Sequence, residues 1–303
     1  MGHDKVAKDL EAALAHHRAG RLVRAQELYR KILRKVPDHP DALHMLGVVA
    51  NDRGHPERAI QLIGKALEAF PGFADAHLNL GNAYARAGRA VDAVGCYRRA
   101  IALKPGFAMA HSSLARALNA SRDFASALAS ARQALALAPA MAEAHFHQAH
   151  ALYNLGILDE AEIAYRGALA LDPDNATFLA GLGFLLIERS RFADAVVCYR
   201  RVAELQPRNA RAHRMLATAR FRSGETEAAL SDYRRAVVLD PGFADGWNGY
   251  GWALRALGRF DEARECFRRA LAIDPARGEI HRSLATTGAR SSDPVEIERL
   301  SRL

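Results

Sequence analysis

The feature that most constrains this chain is a ladder of prolines. Eight prolines follow one another at intervals of 34 residues: Pro37, Pro71, Pro105, Pro139, Pro173, Pro207, Pro241 and Pro275. A fixed period of this length predicts tandem repeats, each a small structural element that packs on its neighbours. Because such an array grows in one dimension, the 303 residues need no single large core.

The segment from Ala74 to Phe107 shows what one repeat contains. Apolar and small residues recur at helical spacing in two successive segments: Leu80, Gly81, Tyr84, Ala93, Tyr97 and Ala100. This spacing predicts two helices that share one seam. Pro105 lacks an amide proton and cannot continue a helix interior, so we expect it to end the second helix.

Two further positions of the repeat predict how the helices turn and pack. A glycine separates the two helices in most repeats: Gly20, Gly54, Gly88, Gly156, Gly224 and Gly258. We expect a left-handed residue here to end the first helix, although Arg122 and Ser190 occupy the place in two repeats. Glycine or alanine in the first helix, as at Gly81 or Gly183, should face a bulky residue such as Tyr97 or Tyr199 in the second.

These residues make the chain resemble the tetratricopeptide repeat family. The family pattern is a Leu-Gly pair, an aromatic, an Ala, an aromatic, an Ala and a Pro, which the repeat ending in Pro105 matches almost in full. The resemblance implies an all-α, right-handed superhelical solenoid of helix-turn-helix repeats. We expect eight repeats at 6–39, 40–73, 74–107, 108–141, 142–175, 176–209, 210–243 and 244–277, followed by a capping helix and tail at 278–303.

The first helices of such repeats line a concave groove in this family, and the repeat register predicts which side chains lie there. The predicted peptide-binding residues are Asn79, Asn82, Arg116, Asn119, Phe146, His147, His150, Tyr153, Phe184, Arg214, Thr218, Phe221, Asn248, Trp252 and Arg255. Aromatic residues outside the packing pattern, mixed with arginines, are typical of recognition hot spots. The competing interpretation is that some of them fill gaps between first helices.

Two specialised forms of the family fit this groove poorly. The clamp that chaperone adaptors use for a C-terminal carboxylate needs basic and Asn residues at set positions; Asn79 matches one, but His44 and Ser113 stand at others. The asparagine ladder of O-linked N-acetylglucosamine transferases is also matched by Asn79, whereas Met215 and Gly249 depart from it. Neither form is predicted.

The three cysteines, Cys96, Cys198 and Cys266, occupy the same place in their repeats and are separated by whole repeats. Since repeats that are not adjacent do not touch, we expect neither a disulfide nor a shared metal site. Free cysteines that serve packing fit a reducing, cytoplasmic environment.

The net charge of +8 raises nucleic acid as a partner. Much of this charge lies in arginine pairs on the second helices, such as Arg98 with Arg99 and Arg234 with Arg235. Acidic residues are scattered through the same helices, which predicts a solvated face rather than a track for nucleic acid. The uncharged run 176–187 is too short for a membrane span, so we expect no membrane association. A homo-oligomer stays possible.

No catalytic motif, cofactor loop or zinc pairing of cysteines emerges from the sequence. His147 and His150 are three residues apart and could begin a metal site, but His145 aligns with His77, His111, His213 and His281, which indicates packing. We therefore expect no cofactor, no metal and no enzymatic activity.

The sequence favours a scaffold that binds a peptide or protein segment in its concave groove. The tail offers a second hypothesis. After the start of a ninth first helix, residues 288–294 break the helical pattern and residues 295–303 predict a short amphipathic helix. This tail resembles the segment that joins repeats to a catalytic domain in bacterial sulfotransferases. The alternative is therefore the substrate-recognition region of a larger sulfotransferase or O-linked GlcNAc-type glycosyltransferase.

Overall fold

The computed structural model describes residues 2–288, and these residues form seventeen α-helices and no strand. The helices are α1 Gly2–Arg18, α2 Leu22–Lys35, α3 Pro40–Asp52, α4 Pro56–Ala69, α5 Ala74–Arg86, α6 Ala90–Leu103, α7 Ala108–Ala120, α8 Phe124–Leu137, α9 Ala142–Asn154, α10 Leu158–Leu171, α11 Ala176–Glu188, α12 Phe192–Leu205, α13 Ala210–Arg222, α14 Thr226–Leu239, α15 Ala244–Ala256, α16 Phe260–Ile273 and α17 Gly278–Gly288. The predicted all-α array of helix hairpins is confirmed.

The odd-numbered helices are the first helices of the hairpins, and the even-numbered helices are the second. Each first helix packs on the second helix that follows it, as α5 does on α6. The chain divides into two compact units, which we describe separately: unit 1 contains α1 to α10, and unit 2 contains α11 to α17. The tail helix expected at 295–303 lies outside the described residues.

The turn inside every hairpin contains one residue with positive φ. Six of these residues are the predicted glycines, and the other two are Arg122 at φ 62° and Ser190 at φ 58°. In the third hairpin, the amide of Gly88 donates to the carbonyl of Ala85 and the amide of Arg89 to that of Tyr84. These two bonds form a Schellman motif, which satisfies carbonyls at the end of the first helix. The left-handed turn is therefore set by the hairpin geometry even where no glycine is present.

Close contact between small and large residues holds the two helices of a hairpin together. A Cβ atom added to Gly81 would lie 2.5 Å from the ring of Tyr97, and one added to Gly183 would lie 2.8 Å from Tyr199. Gly251 and Phe267 repeat the arrangement at 2.7 Å. The rings themselves are buried. The predicted small-to-large packing is confirmed.

One hydrogen bond recurs between consecutive repeats. A ring nitrogen of the fourth residue of a first helix donates to the carbonyl of the ladder proline just before that helix, as from Nε2 of His77 to Pro71 across 3.0 Å. The same bond is made by His111, His145, His213, His281 and, through its indole nitrogen, Trp247. This histidine position therefore has a structural role, which is a hydrogen bond to the backbone of the preceding repeat.

The cysteines lie in the interior of the hairpins. Cys198 and Cys266 are buried and Cys96 is half-buried, all three as free thiols. Burial raises the pKa of Cys96 to about 11 and that of Cys266 to about 12, so both thiols are protonated at neutral pH. Between residues 2 and 288, no group of three or more His, Cys, Asp or Glu side chains is placed to hold a metal ion, and no helix has the length and apolarity to cross a membrane.

Candidate functional site

The residues predicted to bind a ligand all occur at four places in the first helices: the fifth, sixth, ninth and twelfth residue. We call these places, together with the thirteenth, the first-helix face. Several neighbouring first helices contact one another directly: α3 with α5, α5 with α7 and α7 with α9 in unit 1, and α13 with α15 in unit 2. Side chains on this face can therefore either bridge two helices or point to solvent, and the structure separates the two cases.

In α5 the first-helix face satisfies buried polar groups. The hydroxyl of Tyr97, which is otherwise buried in the hairpin, donates to Oδ1 of Asn82 across 2.9 Å. The guanidinium of Arg116, on α7, lies 3.4 Å from both of these oxygens. Asn82 and Arg116 therefore form a polar link between α5, α6 and α7.

Asn79 has a similar bridging role. Its Nδ2 donates to Nε2 of His44, on α3, across 2.8 Å. The imidazole of His44 is only 4% exposed and meets the ring of Phe73 edge-on at 4.7 Å between centroids. This burial lowers the pKa of His44 to about 4. His44 is therefore neutral at pH 7 and accepts the bond from the amide.

Four of the predicted residues lie at or near α9, and two of them, Asn119 and His147, join α7 to α9. Nδ2 of Asn119, which is buried, donates to the carbonyl of His147 across 2.9 Å. The ring of Phe146 packs edge-on against Tyr165 at 5.8 Å and lies next to His147 and His150. Burial, and then the nearby charge of Arg116, lowers the pKa of His147 to about 4. Burial also lowers the pKa of His150.

Unit 1 thus places its predicted residues mainly in contacts between neighbouring helices. Tyr153, at the twelfth place of α9, is half-buried. Arg116 is the one predicted residue of this unit that is exposed.

Unit 2 differs because its first-helix face carries exposed aromatic rings. Phe184 on α11 is 50% exposed and Trp252 on α15 is 41% exposed, whereas the second-helix aromatics Tyr233 and Phe267 are almost completely buried. The indole of Trp252 meets Phe267 edge-on at 6.2 Å, which fixes one side of the ring. Large aromatic side chains that remain in water are the usual anchors of binding surfaces.

Three arginines on this face each lie over an aromatic ring. The guanidinium of Arg255 lies 4.8 Å from the centroid of Trp252, that of Arg214 lies 5.7 Å from Phe243, and that of Arg222 lies 5.5 Å from Phe192. Arg255 also donates to Oγ1 of Thr286 across 3.1 Å. Among residues 2–288, none of these three guanidinium groups has a carboxylate partner.

Several other arginines of unit 2 are paired with carboxylates. Arg201 binds Asp174 at 2.8 Å, and Arg259 binds Glu262 at 2.7 Å. Arg269 on α16 binds Glu265 at 2.9 Å. Because an existing pair must be broken before such an arginine can bind another anion, an arginine without a carboxylate partner is more readily available to an anionic ligand.

The remaining predicted residues of unit 2 have mixed roles. The hydroxyl of Thr218 lies 3.1 Å from that of Tyr233, so this contact satisfies the buried phenol. Phe221 packs against the hydrophobic core of α13 to α16. Asn248 has a buried Oδ1 that accepts no hydrogen bond from the described residues.

Thr286 was not among the predicted residues. It lies 34 residues after Trp252, so continuing the repeat register into α17 would have found it.

The sequence matches a family model described as Tetratricopeptide repeat over residues 44–106, 112–176, 181–242 and 214–278. A second model of the same description matches residues 9–49. No curated protein shows significant similarity to the sequence. The predicted resemblance to repeat regions of sulfotransferases or glycosyltransferases is not confirmed by these comparisons.

Two solved structures share the fold. The crystal structure of the APC/C hetero-tetramer Cut9-Hcn1 aligns with a TM-score of 0.66 and 17% identity, covering 91% of this chain and 54% of that chain. This chain therefore spans about half the length of that relative. The crystal structure of YrrB, described as a TPR protein with an unusual peptide-binding site, aligns with a TM-score of 0.54 and 22% identity, covering 62% of this chain and 96% of that one.

Proposed function

Because this chain belongs to the tetratricopeptide repeat family, we propose that it is a non-enzymatic scaffold that binds a peptide or protein segment along its first helices. The binding surface in this proposal is the first-helix face of unit 2, with Phe184, Trp252, Arg214, Arg222 and Arg255 as its main contacts.

The observation that carries the proposal is the exposure of Trp252. Its aligned neighbour in α13, Thr218, satisfies a buried tyrosine hydroxyl, but the aromatic residue that Trp252 meets is Phe267, which has no hydroxyl. Trp252 is therefore not needed to satisfy the core, and two-fifths of its surface lies in water. Tryptophan and arginine are the residues most enriched among those whose truncation weakens an interface.

The named relatives support a protein-binding role at the level of the fold. The YrrB structure is described as having a peptide-binding site, and the Cut9-Hcn1 structure as a hetero-tetramer. Extended peptides and helices bind in grooves by placing a few apolar side chains against exposed aromatic anchors. The first-helix face of unit 2 offers such anchors on α11 and α15.

The proposal is tested by capture and cross-linking with the full chain. A photo-reactive amino acid replaces Thr286, next to Arg255, and in a matched control variant it replaces Arg235 on the second helix α14. The cross-linked products are then identified by mass spectrometry. We expect a reproducible protein partner to cross-link from position 286 and not from position 235. Equal labelling from both positions would contradict a binding surface on the first helices.

A further inference from the structure

We propose that the first-helix face of unit 2 binds an acidic segment, one in which Asp or Glu residues alternate with large apolar residues. This inference rests on the proposed function, because it names the chemistry of the segment that the scaffold binds. It is carried by three features of the face: the sign of its charge, the state of its arginines and the exposure of its aromatic rings.

The charge of this face is strongly one-sided. Within the described residues, its charged members are Arg214 on α13, Arg222 at the end of that helix, Arg255 on α15, Arg282 on α17 and Glu188 on α11. Four cations therefore oppose one anion over four consecutive first helices. A surface with this balance attracts anionic ligands and disfavours basic ones.

The arginines are held in place without being neutralised. Arg214, Arg222 and Arg255 each lie over an aromatic ring at 4.8 to 5.7 Å, and none is paired with a carboxylate among the described residues. The rings restrict the guanidinium groups while leaving N–H groups for a ligand. A guanidinium can bind a carboxylate through two parallel hydrogen bonds, which makes Asp and Glu side chains the matching groups of a peptide.

The exposed aromatic rings indicate that the bound segment also contains apolar side chains. Phe184 and Trp252 are both at the ninth place of their helices and keep 50% and 41% of their surface exposed. A ligand that carried charge alone would leave this surface in water, whereas Leu, Ile, Val or Phe side chains would cover it. The face therefore fits a segment with both acidic and apolar residues.

The geometry at Trp252 favours a peptide over a single-stranded nucleic acid. Bases bind such surfaces by stacking flat on aromatic rings. One face of the indole is already covered by the guanidinium of Arg255, and Phe267 meets the ring edge-on at an interplanar angle of 76°. An apolar side chain can pack against the surface that remains, but a base has lost one of the two faces on which it could stack.

The test is a selection from a random library of 12-residue peptides on the immobilised full chain. We expect the retained peptides to be enriched in Asp and Glu that flank Leu, Ile, Val or Phe. The best of them should bind about tenfold more weakly for each Glu that is replaced by Gln, because each lost charged pair contributes about a factor of ten. Its affinity should fall as the salt concentration rises.

Two double variants link the charge preference to this face. Arg222→Gln with Arg255→Gln should weaken the selected peptide about tenfold or more. Arg234→Gln with Arg235→Gln removes the same charge from exposed positions on α14 and should leave the affinity unchanged. Circular dichroism confirms that both variants are folded before they are compared.

The possible results separate this inference from the proposed function. Retained peptides without acidic enrichment would overturn the acidic preference while leaving peptide binding intact. A library that yields no peptide bound to the chain would overturn both. An oligouridylate that binds more tightly than any selected peptide, and that depends on Arg222 and Arg255, would overturn the inference in favour of a nucleic-acid ligand.

Discussion

The hydroxyl of Tyr97 donates to Oδ1 of Asn82 across 2.9 Å, joining the second helix of a hairpin to the first-helix face. The same two repeat positions are joined in unit 2 by Thr218 and Tyr233 at 3.1 Å. In the first hairpin, Leu14 stands where Asn82 would be, and the buried hydroxyl of Tyr29 has no hydrogen-bond partner among the described residues. One repeat thus lacks a bond that others make.

This difference predicts opposite effects of one substitution at equivalent positions. Tyr29→Phe removes an unsatisfied buried hydroxyl, so we expect the free energy of unfolding to rise by about 1 kcal/mol. Tyr97→Phe removes a satisfied hydroxyl and should lower it by about 1 kcal/mol. Urea unfolding followed by circular dichroism measures both. A loss of stability in Tyr29→Phe as large as that in Tyr97→Phe would show that the two hydroxyls are in equivalent environments.

Two glycines of the α5 and α6 hairpin provide a test of the packing. A Cβ at Gly81 would lie 2.5 Å from the Tyr97 ring, so Gly81→Ala should cost about 1–3 kcal/mol through overpacking. Gly95 lies in α6 with no atom within 4 Å of an added Cβ, so Gly95→Ala should stabilise the helix by about 0.5–1 kcal/mol. Chemical unfolding of the two variants should therefore shift in opposite directions, and a shared direction would refute the packing described here.

The turns with positive φ at non-glycine residues predict a stabilising change. Ser190 has φ 58° and Arg122 has φ 62°, a conformation that costs an L-residue about 1 kcal/mol or more. Ser190→Gly and Arg122→Gly should therefore each raise the melting temperature, despite the greater flexibility that glycine gives the unfolded chain. Gly156→Ser, at the same place in another repeat with φ 79°, should lower it. Differential scanning calorimetry of the three variants measures these shifts.

The buried histidines predict how stability depends on pH. The pKa of His44 lies at about 4 in the folded chain and that of an ordinary histidine at 6.5. Between these values the unfolded chain binds more protons, so stability is full above about pH 6.5 and falls as the pH is lowered towards 4. His147 acts in the same direction. Urea unfolding of His44→Gln, which cannot titrate, should show a weaker loss between pH 6.5 and 4. An unchanged loss would mean that His44 is not buried as a neutral group.

Much of the fold could be predicted from the sequence because the repeat constrains each position many times over. Pro105 and its equivalents fix where second helices end, and Gly81 and Tyr97 identify the seam within a hairpin. The histidine position could be recognised as structural because it recurs, as His77 and His213 show. Because most repeats have glycine at the turn, a repeat with another residue there, such as Ser190, can be recognised as strained.

The first-helix face was harder to predict because its side chains interact with the neighbouring repeat. The register places Asn119 and Trp252 on the same face, but it does not reveal that Asn119 is buried against the backbone of His147 while Trp252 stays exposed. Phe221 likewise lies on this face by register and packs against the core. Deciding between these outcomes requires the distance between adjacent first helices, which depends on the packing of both hairpins.

The most direct test of the proposed binding surface compares Trp252→Ala with Phe267→Ala, using urea unfolding and titration with a peptide selected on the wild-type chain. If Trp252 is a binding anchor, its truncation should cost about 2 kcal/mol or more in affinity and about 1 kcal/mol or less in stability. Phe267 is fully buried, so Phe267→Ala should instead lower the free energy of unfolding by about 3–5 kcal/mol. A Trp252→Ala variant that loses as much stability as Phe267→Ala, while its folded fraction binds the peptide with wild-type affinity, would contradict the account.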